Sequence, residues 1–183
     1  VASKVEIERK FLVADPGIVA GLGGRRLLQG YFGRIGAFHL RLRLVGQEAW
    51  VTLKSDAPGI ARQEYEASIP PALAARLLGD CPARHKIEKI RYRLRAGGQD
   101  SPLPNDPPLT WEIDHFLGRH EGLWLAEIEL NRADRLLDLP AWLGAEVTDN
   151  PAYRNASLAE APQGPAVLDP ELRGHIAALG PFV

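Results

Sequence analysis

The chain has 183 residues, 45% of them hydrophobic and 25% charged, with a formal net charge of −1. That length suits one well-packed domain rather than two. The near-neutral balance excludes a chain-wide field for nucleic acid or anionic lipid, so any anion site must be local.

The first predicted strand carries Glu6, Glu8 and Lys10, alternating with Ile7, Arg9 and Phe11. A strand sends alternate side chains to opposite faces, so two carboxylates and an ammonium share one face. A weaker strand surrounds Leu27 to Gly33. Leu40, Leu42 and Leu44 then alternate with His39, Arg41 and Arg43, and Val51 and Leu53 with Thr52 and Lys54. Arg62, Glu64 and Glu66 share a face opposite Gln63, Tyr65 and Ala67. Pro70 to Leu78 reads as a short helix with proline at its start. Lys89, Arg91 and Arg93, then Glu112 and Asp114, then Glu127 and Glu129 repeat the alternation. This makes about eight strands by the period-two rule, joined mostly by short links that favour antiparallel neighbours.

The end of the chain turns helical. Asp134 to Leu143, with Leu136, Leu137 and Leu139, is expected as a helix covering the sheet. Asn150-Pro151 caps and starts a helix running through Leu158. Pro162 to Pro165 reads as a linker, and Asp169-Pro170 opens a last helix before Gly180-Pro181. The expected division is a domain over 1–160 and a helical tail over 161–183.

Which face points inward decides the reading. The polar positions are almost all ionised, and signs cluster by strand. Glutamates dominate the first, seventh and eighth strands; arginine and lysine dominate the third, fourth and sixth. Like charges two apart repel, and a ligand of opposite charge relieves them. Eight antiparallel strands are enough to close a barrel. With the charged face inward, the interior is a hydrated, ion-lined tunnel, because unpaired buried charge costs several kcal/mol per ion. Carboxylates without a Cys or His cluster suit a hard cation such as Mg2+ or Mn2+. Arginine and lysine suit phosphate oxygens. Metal-assisted phosphoryl transfer needs both sets.

Glu6-x-Glu8-x-Lys10 resembles the ExExK signature of the triphosphate tunnel metalloenzymes, the CYTH superfamily. Leu40-Arg-Leu-Arg43, Leu53-Lys54, Arg62 to Glu66, Glu88 to Tyr92, Trp111 to Asp114 and Ala126 to Leu130 resemble the family's later blocks in order, and Glu146-Val-Thr148, Tyr153 and Asn155 its closing segment. The resemblance implies a mainly β, closed eight-stranded antiparallel tunnel packed by several helices. It implies that Glu6, Glu8 and Glu129 hold a divalent metal, with Glu127 beside them. Arg41, Arg43, Lys54, Arg62, Lys89 and Arg91, joined by Lys10, are the implied triphosphate cradle. Glu64, Glu112 and Asp114 are implied for a second metal, the attacking water or charge balance. Tyr31 resembles a family tyrosine that partners Lys54. The implied catalytic group is Glu8, Lys10, Lys54, Glu64 and Tyr31. One departure stands in the closing segment, where Ala152 occupies the family's arginine position before Tyr153.

The expected activity is divalent-metal-dependent hydrolysis of inorganic tripolyphosphate to pyrophosphate and phosphate. Alternatives are a class IV adenylate cyclase, a nucleoside or thiamine triphosphatase of the same superfamily, or a polyphosphate or nucleotide binder without turnover. No apolar run approaches the roughly 20 residues that span a bilayer. The single cysteine, Cys81, suits a reducing compartment. The expectation is a cytoplasmic protein, with a homodimer as an open possibility. His39 is read as structural or solvated, and Trp50, Trp111, Trp124 and Trp142 as packing on apolar faces.

Overall fold

A computed structural model describes residues 2–55, 60–97 and 107–161. The elements are β1 (Ala2–Val13), β2 (Arg25–Ile35), β3 (Phe38–Val45), β4 (Glu48–Ser55), β5 (Ala61–Ser68), α1 (Pro71–Asp80), β6 (Lys86–Arg95), β7 (Thr110–Phe116), β8 (Trp124–Leu130), β9 (Leu143–Glu146) and α2 (Asn155–Glu160). Eight strands pair antiparallel in the order β5-β4-β3-β2-β6-β7-β8-β1, and β1 pairs with β5 to close the ring. β1 is the joint. Its first half pairs with β5 and its second half with β8. β9 takes up β1 where β5 leaves it, pairing Phe11 with Glu146 and Val13 with Leu143.

Two hairpins hold the register of β2, β3 and β4. Ile35 pairs with Phe38 and Val45 with Glu48, leaving two residues in each turn. Gly36 and Gly46 take positive φ (60° and 58°) at the first turn position, as such tight turns require.

The apolar face points outward and is covered from outside. α1 lies on β3 and β4 through buried Ala74 and Leu78. Gly30 permits this approach: a Cβ there would stand 2.6 Å from Leu78. A second cluster joins Phe11, Val13, Trp111, Ile113 and Ile128 beneath the 3-10 turn Pro16–Val19 and Trp142. Trp142 meets Trp111 edge-on at 5.4 Å.

The helix expected over 134–143 does not form. That stretch is irregular up to β9, with Leu136 80% and Leu139 52% exposed. Pro140 cannot continue a helix, and β9 needs extended chain to pair with β1. The helix expected from Asn150 is split. Asn150 Oδ1 caps the 3-10 turn Pro151–Tyr153 at the Ala152 N–H (3.1 Å), and α2 begins only after Arg154. Leu158 and Ala159 are then fully buried with Tyr31, Ile87, Phe116 and Leu125. Cover thus comes from two α-helices and short 3-10 turns among the described residues, fewer helices than expected. The linker and tail helix expected beyond Ala161 lie outside the described residues. No helix among the described residues is long and apolar enough to cross a membrane.

Because the core lies outside the ring, Ile113→Ala is expected to cost about 2–5 kcal/mol. Leu136→Ala should change stability by less than about 0.5 kcal/mol. Urea denaturation of the two variants measures both.

Candidate active site

Register alone gathers the charged residues. Lys4, Glu6, Glu8 and Lys10 of β1 face Glu64 and Arg62 of β5 on one side, and Glu129 and Glu127 of β8 on the other. Glu127 faces Glu112 of β7, which faces Arg93 of β6, with Asp114 opposite Arg91. Across the ring, Tyr31 faces Arg41, Arg41 faces Thr52, and Thr52 faces Glu66. Lys54 joins Glu64 to His39 in the same way. The strand alternation turns all of these inward around a cavity of about 540 Å³.

The inward charges pair across strands. Lys54 is held by Glu6 and lies 3.5 Å from Glu8, which also takes Arg62 at 3.4 Å. Lys10 Nζ meets Glu127 at 2.8 Å. Arg43 donates to Glu66 at 3.0 Å, and Arg41 donates to Thr52 Oγ1 at 3.2 Å. Lys4 and Glu129 pair at 2.8 Å at a more exposed level. The arginines keep unused donors. Nε of Arg41, Arg43 and Arg62 is buried without a hydrogen-bond partner among the described residues.

Most of the sequence-predicted residues line this cavity: Glu6, Glu8, Lys10, Tyr31, Arg41, Arg43, Lys54, Arg62, Glu64, Arg91, Glu112, Glu127 and Glu129. Lys89 and Asp114 do not. Both stand on the inward face, one step beyond Arg91 and Glu112 toward the α2 end, where they are wholly buried, 2.5 Å apart. Asp114 also takes Arg91 in a two-pronged grip at 2.7 and 2.6 Å. Tyr31 is not at Lys54. Its hydroxyl lies 3.5 Å from Gln29, and Lys54 turns to Glu6 and Glu8. Trp50 is not on the apolar face either. It shares a face with Thr52 and Lys54, and the Arg43 guanidinium sits 4.9 Å from its ring centre.

Other lining residues fall outside the expected set. Lys4, Glu66 and Arg93 extend the two-residue rows by one step, a signal present in the sequence. Arg154 and Asn155 reach the cavity from the α2 end, where no periodicity announces them.

Burial and neighbours set the charge states. Burial raises the Glu8 carboxyl, but Lys10, Lys54 and Arg62 outweigh it and hold Glu8 below its ordinary value. Burial likewise works against ionised Glu127, yet Lys10, Lys89 and Arg91 hold it well below the usual range. Glu6 goes the other way: burial raises it, opposed by Lys54 and assisted by Glu8 and Glu64. Burial would lower Lys10, and Glu127 and Glu8 more than reverse this. Burial pushes the Tyr31 phenol up to about 12, so it stays a neutral donor.

A closed antiparallel ring with both signs of charge inside defines the class of triphosphate tunnel proteins. No family model matches the chain. It is 36% identical over 157 residues to an inorganic triphosphatase of Acetivibrio thermocellus, covering 86% of this chain and 94% of that protein. It is 37% identical over 158 residues to an inorganic triphosphatase of Nitrosomonas europaea, covering 84% and 96%. The crystal structure of an inorganic triphosphatase superposes with a TM-score of 0.57 at 35% identity, covering 86% of this chain and 99% of that one. The chain belongs to the inorganic triphosphatase family.

The depressed Glu127 has a stability consequence. A carboxyl whose folded pKa lies below its unfolded value of about 4.3 stabilises the fold above that value. The stabilisation is lost as pH falls toward the folded pKa. The urea midpoint of metal-free protein is expected to drop as pH falls below about 5, and Glu127→Gln should flatten that drop.

Proposed function

We propose that this protein hydrolyses inorganic tripolyphosphate to pyrophosphate and phosphate inside the charged ring, with a divalent metal. The observation that carries this reading is the set of buried, unused Nε donors on Arg41, Arg43 and Arg62, beside carboxylates on the same inward face. An unmet buried donor is costly, and a phosphate chain supplies oxygens for each. The family relatives named inorganic triphosphatase support the same substrate.

Tunnel enzymes of this class are generally divalent-metal dependent. The donor type here fits a hard cation: Glu6, Glu8 and Glu129 offer only carboxylate oxygens, and Glu8 stands opposite Glu129. No three such groups among the described residues already converge on one point. Lys54 and Lys4 hold them instead, and their long stems let both ammonium groups swing toward phosphate. When bound, Mg2+ or Mn2+ would polarise phosphoryl oxygens and acidify a water.

The chain's own residues do the rest. Arg41, Arg43, Arg62 and Lys10 hold the phosphate chain in line and balance the charge that develops as the P–O bond breaks. Arg91 joins them, fixed by Asp114. Lys89 and Asp114 act through Arg91 rather than on substrate, since both are fully buried. Neutral Tyr31 is a donor at Arg41's level. Glu64, 4.0 Å from Arg41 and outside hydrogen-bond distance, is the carboxylate placed to take a proton from water.

Phosphate release from tripolyphosphate and from ATP, side by side with Mg2+ or Mn2+, tests the reading. Fast release from tripolyphosphate is expected, and no release from it overturns the proposal. Chelation should stop turnover. Glu8→Gln should lower kcat by about 100-fold or more with the fold intact by circular dichroism. Arg41→Ala should raise KM by about 10-fold or more, the loss of one charge-assisted contact.

A further inference from the structure

The ring's strands supply every ionic group discussed so far, yet one cavity-lining arginine comes from outside it. Arg154 sits at the break between the 3-10 turn and α2, with extended backbone (φ −71°, ψ 135°). It lines the main cavity, and it also lines a void of about 10 Å³, the size of one water, shared with Glu8, Lys10 and Arg62. Arg154 is therefore next to the signature acids and bases, not merely at the rim.

The segment is pinned on both sides of this residue. Before it, Val147 N–H donates to the Lys10 carbonyl at 2.8 Å, and Lys10 N–H donates to Thr148 Oγ1 at 3.0 Å. Lys10 Nζ also donates to the Tyr153 carbonyl at 3.3 Å, so the signature lysine itself holds the turn. After it, the Arg119 guanidinium donates to the carbonyls of Leu158 (3.4 Å) and Ala159 (2.6 Å). The next residue adds a second, independent sign. Asn155 lines the same cavity, and its buried Oδ1 accepts no hydrogen bond among the described residues. An amide turned by 180° exchanges its oxygen for two N–H donors. Such a group serves a phosphate oxygen in one setting and a water in the other.

We infer that Arg154 and Asn155 form a phosphate seat at the α2 end of the tunnel. Arg154 binds the phosphoryl group lying beside Glu8 and Lys10, and the Asn155 amide donates to the same group. This seat rests on the tripolyphosphate reading above. It also accounts for a departure in the closing segment. Ala152, at the family's arginine position, lines neither cavity, whereas Arg154 two residues on brings a guanidinium to the tunnel.

The test is calorimetric titration of the full chain with tripolyphosphate in the presence of a chelator, which reads binding without turnover. Arg154→Ala is expected to weaken binding by about 10-fold or more. Arg154→Lys should recover part of it, and Asn155→Asp should weaken it by placing a carboxylate against the anion. Thermal midpoints should stay near that of the unaltered chain, which separates a lost contact from a lost fold. Arg41→Ala serves as the comparison. If Arg154→Ala and Asn155→Asp bind as tightly as the unaltered chain while Arg41→Ala does not, the seat is refuted and the functional reading stands. If the unaltered chain does not bind tripolyphosphate here, the seat falls, and the functional reading falls with it only if Mg2+ or Mn2+ also gives no phosphate release.

Discussion

The structure depends on charge pairing across strands inside a closed ring. Acidic and basic side chains that point inward lose water on every side, at several kcal/mol per ion unless partners compensate. The ion pairs that line the ring join different strands. Lys54 of β4 serves Glu6 and Glu8 of β1, Lys10 of β1 serves Glu127 of β8, and Arg43 of β3 serves Glu66 of β5. Each pair needs a particular neighbour at a particular register. A one-residue slip of any strand would turn its ions outward and its apolar row inward. Electrostatics therefore specifies the ring as firmly as packing does.

The usual arrangement is turned inside out. Trp111, Ile113 and Ile128 face away from the cavity and need cover, which the 3-10 turn Pro16–Val19 and Leu137 and Trp142 before β9 provide, while α1 covers β3 and β4. At the α2 end the inward row changes character, and Leu125, Phe116 and Ile87 close against Leu158 and Ala159. The ring is thus charged around the cavity and closed by apolar packing at the α2 end. Inside it, Glu8 and Glu127 stay ionised while Tyr31 stays neutral, so anionic acceptors and neutral and cationic donors coexist. Buried Asp114, paired with Lys89, holds Arg91 in a two-pronged grip.

Much of this is legible in the residue pattern alone. Glu6, Glu8 and Lys10 declare a charged face in three alternating positions, and the same rule reads β3 to β8. The rule fails where local pattern and tertiary demand part. Leu136, Leu137 and Leu139 suggest a helix, but the stretch gives way to extended chain because β1 has an edge to fill. Trp50 looks like packing on an apolar row, yet the register places it under Arg43. Arg154 carries no periodic signal, because a break between two short helical turns has none.

The sequence by itself determined the eight strands of the ring, their two faces and the chemistry of the charged one. Those are consequences of how a single extended backbone disposes its neighbours, and they need no partner. Only the tertiary structure decided that β1 meets both β5 and β8, and that β2 meets β6, which no short link predicts. From those meetings follow the identity of each ion pair, the burial of Lys89 and Asp114 beyond the cavity, and the arrival of Arg154 in the tunnel. Side-chain alternation is local, whereas ring closure joins residues far apart in the chain, so the pairing of charges belongs to the fold.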